Sequence, residues 1–78
     1  MRRNQIAAIV ADTMREFGRV DITCEDDGLL RKAANIAGLK GHLADHRRRV
    51  LDSLEGNPRF KKSIQPFGRR LRVFTLVG

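Results

Sequence analysis

The stop at Gly56-Asn57-Pro58 constrains this 78-residue chain more than any other feature, because proline cannot continue a helix and glycine tolerates positive φ. Before it, apolar residues recur every three or four positions, the period of helices buried on one side. After it they fall in short β-branched and aromatic runs around a turn. Ile6, Ile9, Val10, Thr13, Met14 and Phe17 predict a first helix over about residues 4–17, ended by Gly18. Arg19-Val20-Asp21-Ile22 alternates and reads as a brief extended segment or edge strand. Thr23, with Asp26 three residues on, and the neighbouring Glu25 and Asp27 suit a helix start, where carboxylates favour the positive end of the dipole. A second helix over about 25–37 then carries Leu29, Leu30, Ala33, Ala34, Ile36 and Ala37. Gly38-Leu39-Lys40-Gly41 is a connection of helix–turn–helix length. A third helix over about 42–55 places Leu43, Val50, Leu51 and Leu54 on one side.

One residue breaks that third pattern. Arg47 projects near the middle of the apolar stripe, so either its stem covers the core while the guanidinium reaches solvent, or the helix begins later.

The remainder, about 59–77, reads as a β-hairpin turning at Gln65-Pro66-Phe67-Gly68, with proline suited to a type I turn and glycine to a bulge. A three-residue loop would set Ile64 against Arg70, Lys62 against Arg72 and Phe60 against Phe74. Two like-charged residues would then stand opposite each other, a penalty that a phosphate would reverse. Phe67, at the tip, either folds back onto the sheet or serves as a small apolar wedge.

Charge is distributed unevenly. Residues 1–28 hold four basic and six acidic side chains, a net −2, whereas residues 29–78 hold twelve and three, a net +9. From Asn57 onward there are six basic residues and no acid. Such asymmetry costs self-repulsion and points to a polyanionic partner. Other chemistries lack their parts. One cysteine, Cys24, and two histidines cannot complete a tetrahedral zinc site, and no nucleophilic pair or phosphate-cradling loop occurs, so neither enzyme activity nor a cofactor is expected. Cys24 reads as a half-buried small apolar residue. No apolar run approaches the ~18–20 residues of a membrane span. The opening Met1-Arg2-Arg3 imitates a signal peptide only until Asp12, and a cytoplasmic protein is the expectation.

In order of elements the chain resembles the winged helix–turn–helix superfamily from Asn4 to Val77. Leu29–Gly41 looks like the first helix and turn of the motif, His42–Leu54 takes the recognition-helix place, and Phe60–Val73 takes the wing's. The resemblance implies a single α+β domain, a three-helix bundle with a C-terminal antiparallel wing of two or three strands. It also implies that the third helix enters the major groove of double-stranded DNA while the wing touches backbone or minor groove. This helix departs from the usual pattern by opening with His42 and carrying Asp45 and Asp52, and its turn holds two glycines.

The candidate contacts follow. Arg48 and Arg49, with His42 and His46 nearby, lie on the third helix's outer face, where an arginine fork suits guanine O6 and N7. The competing reading is a self-neutralised face, Asp45 pairing with Arg49 and Arg48 with Asp52. Lys61, Lys62, Arg69, Arg70 and Arg72 would draw the wing to phosphate, beyond what protecting a sheet edge requires. Lys32 and Lys40 would reach phosphate beside the turn. The expected function is a small transcriptional regulator, and a homodimer with paired half-sites would raise its specificity. A module docking an acidic protein, or one binding structured RNA, remains the alternative.

Overall fold

The computed structural model describes residues 2–77. Its elements are α1 (Arg3–Glu16), β1 (Asp21–Ile22), α2 (Asp27–Ile36), α3 (Leu43–Asp52), β2 (Phe60–Ile64) and β3 (Arg72–Leu76). Three helices pack against a three-stranded antiparallel sheet of order β1-β3-β2, an α+β arrangement. No described helix is long and apolar enough to cross a membrane.

The core forms where the stripes converge. α1 buries Ile6, Ala7, Val10, Ala11, Thr13 and Met14, and α2 buries Leu29, Leu30, Ala33 and Ala34. The alanines on both helices lack the bulk that would hold the two backbones apart. The sheet contributes Ile22, Phe60 and Phe74, and Phe74 is fully buried at the centre of β3. Two residues expected on the stripes lie outside the core. Phe17, just past the end of α1, is 46% exposed, and Ile36, at the last turn of α2, is 54% exposed. Near a helix end, a residue in phase with the stripe can still project beyond the neighbouring helix.

Helix ends differ from the periodicity by a few residues. α2 begins at Asp27, because Thr23 and Asp26 build a turn ahead of it. The Thr23 N–H donates to Asp26 Oδ2 at 2.7 Å and the Glu25 N–H to Thr23 Oγ1 at 3.2 Å. α3 ends at Asp52, after which the Leu54 and Glu55 N–H groups bond three residues back, to Leu51 and Asp52. These tighter turns keep Leu54 buried although the α-helix has stopped. The chain then bends at Asn57, itself buried, whose Oδ1 accepts from the Arg59 N–H at 2.9 Å.

The hairpin register differs from the expected one by two residues. Phe60 opposes Leu76, Lys62 opposes Phe74 and Ile64 opposes Arg72. The reason is the connection: β2 stops at Ile64, β3 resumes at Arg72, and the Gln65 N–H donates to Leu71 O at 2.9 Å across a loop wider than a three-residue turn. Side chains alternate with period two, so a two-residue shift leaves each on its face, and Phe60 and Phe74 still point inward. Lys62 and Arg72 become diagonal neighbours instead of a directly opposed pair. β1 joins the far side of β3, with Asp21 against Thr75 and Ile22 against Phe74.

Candidate nucleic-acid interface

The side of β2 and β3 that carries Phe60 and Phe74 also carries Lys62 and Arg72, which reach α3. Lys62 Nζ lies 2.7 Å from Glu55 Oε1. Arg72 Nη1 lies 3.0 Å from Asp52 Oδ1 and 3.4 Å from Glu55 Oε1, with its guanidinium 5.6 Å from the centre of the Phe74 ring. Arg48 approaches Asp52 from one turn earlier on α3, at 3.7 Å. Arg3 donates to the Asp52 carbonyl oxygen at the end of that helix. Three cations therefore gather around two carboxylates where hairpin and helix meet. Chiefly the Lys62 hydrogen bond, supported by the charges of Lys62 and Arg72 and opposed by partial burial, lowers the Glu55 carboxyl below its ordinary value. The arrangement links the hairpin to the end of α3 and the turns that follow it.

The sequence-predicted contacts thus divide. Arg72 is fastened to the last residue of α3 and to Glu55 in the turns after it, and Lys62 to Glu55 alone. Lys32 belongs to the α1–α2 junction, with Nζ 2.6 Å from Glu16 Oε1 and 5.6 Å from the centre of the Phe17 ring. His46 is half-buried, and its Nε2 bonds the Lys40 carbonyl oxygen, closing the turn before α3. His42 is the exposed N-cap residue of α3. Arg48, whose side chain is 92% exposed, and Arg49 stand with Ala44 and Asp45 on the outer face of that helix. Lys40 is exposed in the preceding turn, and Lys61 is exposed on the sheet face opposite Lys62.

The loop after β2 holds the remaining cations. Every residue from Gln65 to Arg70 is exposed. The Arg69 side chain is 79% exposed, and among the described residues its ion-pair partner is Glu25, at 4.0 Å. Arg70 adopts φ 53°, the left-handed region that a side chain enters at a cost of about 1–2 kcal/mol. Across from this tip, Cys24, Glu25, Asp27, Arg47 and Arg69 line an open depression of about 390 Å³. Its two arginines face two carboxylates, so it is no concentrated anion site.

Arg47 resolves the anomaly in the third helical pattern. Its side chain is half-buried, and its guanidinium donates to the Cys24 carbonyl oxygen and to Asp27 Oδ1 instead of extending into solvent. The Arg47 hydrogen bond holds the Asp27 carboxyl below its ordinary range, against the opposing effect of partial burial. Arg19 holds the same loop from the other side, 3.0 Å from Asp26 and 3.6 Å from Asp21. Arg31 and Arg59 are exposed cations outside the predicted set, and only the overall charge count signals them in the sequence. Among the described residues no group of three His, Cys, Asp or Glu stands ready to hold a metal. Comparison with known protein families, with characterised proteins and with solved structures returns no significant match.

Proposed function

We propose that this chain is a DNA-binding module of the winged helix–turn–helix type, acting as a small transcriptional regulator. The reading takes α2 and α3 as the helix–turn–helix pair, α3 as the helix presented to the major groove, and the β2–β3 hairpin as the wing. The observation that carries it is the division of labour among the cations. Lys62 and Arg72 are spent on fixing the hairpin against α3, while Lys61 and Arg70 have no ion-pair partner among the described residues and Arg69 has only a distant one. Exposed cations without a close carboxylate raise the positive potential of the hairpin, which is the field that draws a polyanion. Arg48 and Arg49, on the outer face of α3, supply forks for guanine edges, and the tip arginines supply phosphate attraction.

A mobility-shift or anisotropy titration against duplex DNA at several salt concentrations tests this. Roughly four to six phosphate contacts predict a slope of log affinity on log salt near −4 to −5. Absence of salt-dependent duplex binding below micromolar overturns the reading. The acidic-protein alternative has its own support: β2 is an edge strand with four of its five residues exposed, open to pairing with an extended acidic segment. Capture of one acidic protein, indifferent to nuclease, would favour it, and preference for RNA over duplex DNA at one salt concentration would favour the RNA-binding reading.

A further inference from the structure

The chain has four phenylalanines, and three of them are accounted for. Phe60 and Phe74 are in the core, and Phe17 is stacked on the Lys32 ammonium. Phe67 is 82% exposed, the most exposed large apolar residue among those described, and it does not fold back onto the sheet. It sits at the far end of a closed loop. The Gln65 N–H to Leu71 O bond closes the loop's base, Gly68 takes φ 69°, and Arg70 takes φ 53°. An aromatic ring is thus held out at the tip of a hairpin, with two exposed arginines close behind it.

We propose that Phe67 is a stacking residue that takes the face of a nucleobase, either at an unpaired position or at a base step that unstacks readily. The proposal rests on the nucleic-acid reading above and adds a second recognition element to it. Arg69 and Arg70 bring the tip to phosphate, and the ring then gains apolar contact by leaving water for a base face, which every nucleotide offers. Apolar side chains placed in this way wedge between base pairs most easily at pyrimidine–purine steps, where unstacking costs least. The surrounding positive charge favours a polyanion over an apolar protein pocket.

The chain contains no tryptophan or tyrosine, so Phe67→Trp introduces a single emitting probe at the tip. The full chain is titrated with a paired duplex containing a central TA step, with the same duplex carrying a one-nucleotide bulge, and with anionic phospholipid vesicles. The proposal expects the emission of the Phe67→Trp variant to be quenched by nucleic acid, most strongly by the bulged duplex if unpaired bases are the target and equally by both if the TA step suffices. Phe67→Ala should weaken binding to the preferred duplex roughly 5- to 100-fold, the usual effect of removing one base–aromatic stack. Its salt slope should stay the same, because the cations remain. Three results overturn the proposal. Salt-dependent binding with unaltered emission and no loss in Phe67→Ala removes the stacking role and leaves the DNA reading standing. A blue shift on vesicles with no response to either duplex assigns the tip to a lipid surface. No binding of either duplex by the unaltered chain removes both readings together.

Discussion

The Arg47 guanidinium on α3 donates to the Asp27 carboxylate at the first residue of α2, and in the same reach to the carbonyl oxygen of Cys24. One side chain thereby joins the start of one helix to the middle of the next and satisfies a loop carbonyl as well. Arg47→Met keeps the apolar stem and removes both bonds, so thermal melting should occur at a lower temperature. Arg47→Lys should recover only part of the loss, because both bonds come from Nη1, one atom further from the backbone than a lysine ammonium reaches. Equal melting of all three forms in a calorimetric scan would remove the bridge from the account of stability.

The ion pairs also predict how stability depends on pH. Asp27 and Glu55 have folded-state values below their ordinary 3.8 and 4.5. A depressed carboxyl contributes stability that is complete above its unfolded value and disappears as pH falls through its folded value. Urea unfolding should therefore show a plateau above about pH 5 and a decline below about pH 4. Glu55→Gln should lie below the parent on the plateau and converge with it as the medium becomes acid. A constant difference across the range would contradict the linkage.

Exchanging charges tests the junction of hairpin and helix. Glu55→Lys places a third cation between Lys62 and Arg72 and should lower the melting temperature. Adding Lys62→Glu restores one opposite-charge contact across the junction and should recover more than half of that loss, since the two residues are in direct contact and their effects do not add. Simple additivity in a double-mutant cycle would show that the contact contributes nothing.

Phe74 occupies the middle strand, between β1 and β2, and has no exposed surface. Phe74→Ala should cost about 3–5 kcal/mol, most of the stability of a domain this small if its total is near the low end of about 4–12 kcal/mol. Loss of the cooperative urea transition, or an extrapolated unfolding free energy lowered by that amount, is the expected result. A cost below about 1 kcal/mol would mean that the core repacks around the cavity.

Arg70 separates stability from binding. Glycine occupies the left-handed region without the clash a side chain suffers, so Arg70→Gly should leave stability unchanged or raise it by up to about 1 kcal/mol. The same change removes one of the two tip arginines and should weaken duplex affinity on every sequence while making the salt slope shallower by about one. Destabilisation with unchanged affinity would reverse both assignments.

Several features were legible from residue order alone. The recurrence of Ile6, Val10 and Met14, of Leu30, Ala33 and Ala34, and of Leu43, Val50 and Leu54 suffices to identify three helices and their inner faces, because helical period is a local property. The run from Arg72 to Leu76 and the turn residues at Pro66 and Gly68 suffice to identify a hairpin. The alternation that directs Phe60 and Phe74 inward survives a register shift of two. The excess of positive charge after residue 28 is likewise a property of composition.

Partnership was decided only in three dimensions. Hairpin register depends on loop closure by Gln65 and Leu71, which the sequence of the turn leaves open between several lengths. Lys62 and Arg72 are indistinguishable in sequence from Lys61 and Arg70, yet two are joined to Asp52 and Glu55 and two face solvent. Arg47, an anomaly on the helical wheel, acquires its meaning from Asp27, twenty residues earlier at the start of α2. Apolar patterning is set by neighbours along the chain, whereas the use of each charge depends on which distant carboxylate the fold carries within reach.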